Sequence, residues 1–212
     1  MNIFIAGATG RVAQFLIEEL VDKGHQVTAG ARNPERIDVK EGVRPLPLDL
    51  HAGVEDLSQL LQGQEAVYFV AGSRGKDLLQ TDAFGAVKMM QAAELVGIKR
   101  FVLLSSIFAT EPERWSDPNL VSIMDYNIAK FFADNWLIHN TKLDYTILQP
   151  GNLVEAETAS GKIAIHVKQS QPNSIPNVAA TLAAILESSN TYQKIIQMSD
   201  GDVPIELAIQ NV

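Results

Sequence analysis

The sequence predicts an α/β protein, a doubly wound parallel sheet with a small C-terminal extension. Three observations carry that expectation. Apolar runs of strand length alternate with helical patterns as far as Pro150. Several of those runs are continuously apolar, as strands covered on both faces are. The first run ends in a glycine-rich turn that opens a helix, and alternation of this kind closes into a parallel sheet through right-handed crossovers.

Taken in order, the strands are expected at "NIFIA", "HQVTAG", "VRPLPL", "EAVYFV", "KRFVLLS" and "LDYTILQ". Each is short and rich in Val, Ile, Leu, Phe or Tyr, the residues that fit a pleated, half-buried surface. The first helix is expected from Arg11 to Lys23, where Val12, Phe15, Leu16, Leu20 and Val21 recur near helical spacing and Gly24 ends the pattern. A longer helix is expected from about Asp77 to Val96, its stripe running from Leu79 to Ala93 and stopping at Gly97. Another begins near Asp125 and ends near Asn140. Beyond Pro150 the rhythm loosens into "GKIAIHV", a helix from about Pro176 to Glu187, "QKIIQM" and "PIELAIQ". A tail of that size is small for an independent domain, so residues 1–212 read as one domain whose part from about 151 is an extension on the substrate side.

Composition removes several function classes. The formal charge is −8 and no basic block occurs, so a nucleic-acid partner is not expected. There is no cysteine, which excludes disulfides and thiolate chemistry, and His25, His51, His139 and His166 lack metal-ligand spacing, so no metal site is expected. The chain enters a strand pattern at once, without a leader or an apolar run of membrane-spanning length, and a cytoplasmic location is the expectation.

The turn "GATGRVAQF" carries the first chemistry. Gly7, Gly10 and Ala13 stand at intervals of three, between a strand and a helix. Gly7 permits a tight exit from the strand. Gly10 lets backbone N–H groups approach a pyrophosphate, and Ala13 lets the helix lie close on the sheet, with its positive end toward the anion. The loop residues Gly7, Ala8, Thr9, Gly10, Arg11 and Val12 are therefore expected to bind a dinucleotide. An NAD site would place an acid at the end of the second strand to hold the ribose 2′-OH. Here that strand ends in "TAGARNPERI", with Arg32 in the acid's place and Arg36 close behind. A guanidinium about 4 Å from a phosphate charge gains roughly 4 kcal/mol at an effective dielectric near 20, before desolvation. NADP(H) is thus preferred over NAD(H), with Arg32 gripping the 2′-phosphate.

"MDYNIAKFF" carries the second. Four residues turn a helix by about 400°, so Tyr126 and Lys130 lie on nearly the same side, while Ile128, Phe131 and Phe132 cluster opposite and are expected to feed packing. A free phenol titrates near pH 10, so acid–base work near neutrality asks for roughly 4 kcal/mol of help. An ammonium about 5 Å away supplies around 3 kcal/mol.

Together these motifs resemble the atypical short-chain dehydrogenase/reductases, in their NmrA-like and biliverdin-IXβ-reductase-like branch, whose members are often labelled sugar epimerases. "GATG", "ARNPE", "LDL", "RFVLLSS", Tyr126-x-x-x-Lys130 and "DYTILQPGNL" occur in the family's order over nearly the whole chain. The resemblance implies a Rossmann fold and further roles. Asp49 and Leu50 would flank the adenine, Ala71 and Gly72 would line the ribose and pyrophosphate, and Arg74 would add to the 2′-phosphate site. Pro150, Gly151 and Asn152 would border the nicotinamide amide. Ser106 would polarise a substrate carbonyl with Ser105 beside it, Lys130 would bind the nicotinamide ribose and Tyr126 would exchange the proton. The tail is shorter than the sugar-binding lobe of nucleotide-sugar epimerases, and Asn177 stands where the family usually carries Asp.

The function expected from these features is NADP(H)-dependent hydride transfer to or from a small carbonyl, quinone, flavin or related acceptor. The segment between Ser106 and Tyr126 would form one wall of the pocket, with Phe108, Trp115 and Leu120 as stacking surface. A non-catalytic NADP(H) sensor and a nucleotide-sugar epimerase are the alternatives. The partner is a small-molecule substrate, and the protein is a monomer or a homodimer.

Overall fold

A computed structural model describes the whole chain, Met1–Val212. Strand β1 (Asn2–Ala6) is third from one edge of a nine-stranded sheet. β2 (Gln26–Ala31) and β3 (Val43–Pro47) extend it on one side. β4 (Ala66–Phe69), β5 (Arg100–Leu104) and β6 (Asp144–Pro150) extend it on the other, and all six pair in parallel. β4 and β5 are buried at every position, which explains their unbroken apolar sequence.

Helices cover both faces. α1 (Arg11–Asp22) buries Val12, Leu16 and Leu20 of the stripe read from its spacing, with Ala13 and Ile17, while Phe15 and Val21 are half-buried. α2 (Val54–Leu60) is a short helix that the sequence reading passed over, since only Leu57 and Ser58 of its seven residues are buried and no stripe announces it. The expected Asp77–Val96 helix is two pieces. Leu78–Gly85 winds as a π-helix, and α3 (Ala86–Leu95) continues as an α-helix. Gly85 suits the wider winding, because a Cβ there would lie 2.9 Å from the Gln80 carbonyl oxygen. The expected stripe is buried from Ala83 onward, but Leu79 in the π-helical piece is exposed, a change of pitch that side-chain spacing does not record.

α4 (Met124–Asn140) reverses one expectation. Its buried side holds Asn127, Ala129, Lys130, Ala133, Asp134 and Leu137. Of the apolar residues expected to pack, Ile128 and Phe131 are half-buried, Phe131 against Trp115, whereas Phe132 is 58% exposed. The helix has turned its polar row inward, which the alternation of residue types could not disclose.

The C-terminal part joins the same sheet. β10 (Lys194–Asp200) pairs in parallel with β6, and β8 (Lys162–Ile165) and β11 (Val203–Pro204) add an antiparallel edge. β7 (Asn152–Val154) and β9 (Pro172–Ser174) form a separate parallel pair. α5 (Ile175–Ile185) packs beside α1, and α6 (Ile205–Gln210) closes the chain.

Asn177, on the first turn of α5, is the fastening of this part. Its side-chain NH2 donates to Asp200 Oδ1 (2.8 Å), Ser160 Oγ (2.8 Å) and the Lys162 carbonyl (3.2 Å), while its Oδ1 accepts from Gly161 N–H (3.0 Å). Asp200 also accepts from the Ser174 amide at the start of α5 (2.9 Å). An aspartate at 177 would face Asp200 with a like charge and no donor. Asn177→Asp is expected to destabilise the fold by roughly 2–4 kcal/mol through lost bonds to buried partners. Urea unfolding should show a lower midpoint with little change in slope, and a wild-type midpoint would remove Asn177 from this role.

Candidate functional site

The site begins where β1 ends. Gly7 takes φ 95°, and a Cβ on it would stand 2.5 Å from the Ala71 Cα, so only glycine fits both the turn and the neighbouring loop. The Gly7 and Ala8 amides donate to the Gly30 carbonyl (2.9 and 3.0 Å), which spends them on the turn itself. Gln14 is the first residue of α1 whose amide finds an acceptor, the Gly10 carbonyl (3.2 Å). The amides of Arg11, Val12 and Ala13 are left free, as at any helix start, with the positive end of the helix behind them. This is a fitting cradle for a pyrophosphate.

Two cavities meet on this cradle. One of about 630 Å³ reaches toward the end of β2, and one of about 700 Å³ reaches toward α4. Gly10, Val70, Ala71, Gly72 and Arg74 line both, so they are halves of one groove across the C-terminal ends of β1, β2 and β4. That is where a sheet of this strand order leaves a crevice.

The first half is strongly cationic. Arg32, Arg36, Arg74 and Lys76 line it, and Asp49 is its one carboxylate. Asp49 turns one oxygen to the His51 amide (2.8 Å). Asp77 stands nearby, bound by the Thr81 hydroxyl (2.6 Å) and the His51 ring (2.7 Å), and those bonds hold its carboxyl below the usual range. Arg36 and Lys76 were legible only as loop cations, and their convergence on Arg32 is a product of the fold.

The second half is the side of α4. Tyr126 and Lys130 both line it, with the Lys130 Nζ 5.5 Å from the centre of the Tyr126 ring. Lys130 is 1% exposed and donates to the Leu104 carbonyl (3.0 Å). Val121, Ser122 and Ile123, immediately before α4, form part of the wall of this half, together with Leu153 and Leu78. Phe108, Trp115 and Leu120, expected on that wall, line neither cavity. They are buried beneath the loop, where the Trp115 indole donates to the Phe108 carbonyl (3.0 Å) and meets the Phe131 ring edge-on at 5.7 Å.

Among the residues singled out by sequence, Gly7, Thr9, Arg32, Asp49 and Leu50 line the first half. Arg11, Val12, Tyr126 and Lys130 line the second, and Gly10, Ala71, Gly72 and Arg74 line both. The fold does not bring the others to the groove. Ala8 is buried behind its turn, Ser106 is buried, and Pro150, Gly151 and Asn152 lie outside both linings, with Leu153 in their place. Gly151 instead backs onto Gln171, whose carbonyl oxygen would be 2.2 Å from a Cβ there. Ser105 faces inward, its hydroxyl donating to Asp134 Oδ2 (2.7 Å).

Asp134 was not anticipated. It is fully buried and accepts from Ser105 and from Gln149 Nε2 (3.0 Å), while its other oxygen has no partner. Nothing in the residue type marked it; its place four residues past Lys130, on the inward side of α4, was the available signal.

Comparison with known proteins identifies the family and the fold. The family described as NAD(P)H-binding matches residues 7–189, and the chain belongs to it. The "oxidoreductase ylbE" of Lactococcus lactis has a crystal structure with TM-score 0.96 and 41% identity, covering 100% of this chain and 96% of that one. The Bacillus subtilis protein named "uncharacterized sugar epimerase YhfK" is 30% identical over 221 residues, covering 100% of both chains. A Veillonella parvula short-chain dehydrogenase/reductase described in complex with NADP shares the fold, with TM-score 0.77 at 20% identity, covering 96% of each chain. No helix is long and apolar enough to cross a membrane.

Burial lifts the Asp134 carboxyl from its ordinary 3.8 to about 6, against the opposing pull of Ser105, Gln149 and Lys130. Between those two values the folded chain holds more proton at this residue than the unfolded chain does, so stability falls as pH rises through the window. The full loss, by about pH 7, is about 3 kcal/mol. Asp134→Asn has no such titration. Its stability relative to wild type is expected to climb between about pH 4 and about pH 6 and level off above. Urea unfolding of both proteins across that range measures the difference, and a flat difference would contradict it.

Proposed function

We propose that this member of the NAD(P)H-binding family is an NADP(H)-dependent oxidoreductase of the atypical short-chain dehydrogenase/reductase kind. Its acceptor would be a small carbonyl, quinone, flavin or related molecule. The reading is supported chiefly by one juxtaposition: Tyr126 and Lys130 line the same cavity as the free amides at the start of α1.

A bound reduced nicotinamide would supply the hydride. The chain's own residues do the rest. The amides of Arg11 and Val12 hold the pyrophosphate. Arg32, supported by Arg36, Arg74 and Lys76, takes the 2′-phosphate, where four cations face one carboxylate. Lys130 has two N–H bonds beyond the one given to Leu104, and they are available to ribose hydroxyls. Tyr126 gives its hydroxyl proton to the substrate oxygen as the neighbouring carbon is reduced, and solvent returns it. The ammonium stabilises the transient phenolate. Ser106 lies outside the groove, so polarising the substrate oxygen is left to the Tyr126 hydroxyl. The wall of Val121, Ile123 and Leu153 favours an acceptor with an apolar face.

Arg32→Asp is expected to weaken NADPH binding by about tenfold or more relative to NADH, as a carboxylate replaces a phosphate-binding fork. Calorimetric titration with both nucleotides tests this, and an unchanged preference would take Arg32 out of the site. Tyr126→Phe is expected to slow aldehyde reduction by about a hundredfold or more. Wild-type turnover by that variant, across aldehydes, quinones and flavins, would assign the proton to water.

A further inference from the structure

We propose that Asp82 is a positioning residue for nucleotide binding: its buried side chain fixes the two-residue span Ala71–Gly72, whose free amides then donate to the pyrophosphate and its neighbouring ribose. The inference rests on the reading of the groove as a dinucleotide site.

Beyond β4 the chain is pinned at two points. The Val70 amide donates to the Ala6 carbonyl (3.0 Å), and the Ser73 amide donates to Asp82 Oδ2 (3.0 Å). Between those bonds the amides of Ala71 and Gly72 find no acceptor in the chain. A backbone amide left in that state must meet water or a ligand. Ala71 and Gly72 both line the two halves of the groove, and Ala71 is the residue against which Gly7 turns. The span therefore adds two donors to the three at the start of α1.

Asp82 is the far anchor of this span. It belongs to the π-helical piece Leu78–Gly85 and is 0% exposed. A Cβ on Gly72 would stand 3.3 Å from Asp82 Oδ1, closer than ordinary contact. Gly72 keeps a φ outside the left-handed region, so what glycine offers here is room rather than backbone freedom. The side chain thus meets the span's end by a bond at Ser73 and crowds it at Gly72.

Two features argue that position is what this residue supplies. Asp82 forms no ion pair, and its Oδ1 is buried without a partner, so the Ser73 bond is the one polar contact it makes. A polar oxygen kept in that state is unfavourable, and a side chain present for packing alone would be apolar. The piece that carries Asp82 also borders the groove itself, with Leu78 in the second half and Thr81 in the first. The Ser73–Asp82 bond therefore ties the span to a segment that touches both halves.

The test is a double-mutant cycle on nucleotide affinity, read by the fluorescence of NADH and of NADPH. Asp82→Ala should weaken both by about tenfold, as two hydrogen bonds lose their alignment, and should leave the preference between them unchanged. Asp82→Asn keeps an acceptor for the Ser73 amide and should bind both within about twofold of wild type. Gly72→Ala presses a methyl group against Asp82 and should weaken both by about as much as Asp82→Ala does. With Asp82→Ala added that methyl has room, so the double variant should bind no more weakly than Asp82→Ala alone. Additive losses in the double variant, equal losses in Asp82→Asn and Asp82→Ala, or a loss confined to NADPH overturn the proposal. Should Asp82→Ala not fold, Gly72→Ala and Asp82→Asn decide, and wild-type affinity in the first or a tenfold loss in the second overturns it. Wild type that binds neither nucleotide sinks the dinucleotide reading beneath. Wild type that binds both, with Asp82→Ala its equal, sinks the role of Asp82 alone.

Discussion

The molecule is organised by one close approach, the Gly7 backbone against Ala71. β1 has β2 on one side and β4 on the other, so the chain leaves the sheet in opposite directions at neighbouring strand ends. The loops after β1 and β4 must pass each other where that split occurs. They can do so only because Gly7 has no side chain and adopts a left-handed φ. Everything useful follows from the gap that opens: the free amides of α1, the arginine-lined half beyond β2, and the half bordered by α4. A methyl group at this point would push the two loops apart before any ligand was involved.

The fold was legible because its signals are local. Continuous apolar strands, a glycine turn and helical stripes each need only a few neighbours to be read. The same locality explains the failures. α2 buries too little to leave a stripe. The winding of Leu78–Gly85 depends on backbone bonds that side-chain order does not record. α4 was given the right length, but its most buried row contains Asn127, Lys130 and Asp134 while Phe132 stays outside. Hydrophobicity orients a helix only when its polar residues have nothing to do inside.

The site divides in the same way. Gly7, Gly10, Arg32, Tyr126 and Lys130 lie in short motifs with a chemical logic of their own, and the groove contains all five. Arg36, Arg74 and Lys76 come from two loops, and only the sheet makes them one cationic wall. Asp134 is the extreme case. An aspartate on a helix is ordinary in sequence, and its weight comes from burial, from Ser105 on one strand and Gln149 on another. Conversely, Ser106 and Pro150–Asn152 were assigned by resemblance at strand ends, where a rotation of one residue decides whether a side chain meets the groove or the protein interior.

The clasp around Asn177 bears on how proteins built this way can diversify. Strand pairing with β6 and the Asn177–Asp200 bonds anchor the C-terminal part to the nucleotide-holding frame. The connection between β5 and α4 holds no strand; Ile107, Phe108 and Leu120 cluster within it, and it meets the frame at the Pro150 carbonyl, at Gln149 and at Phe131. Evolution, or an engineer, can therefore rewrite the exposed positions of that connection, provided the few residues that tie it to β6 and α4 are kept.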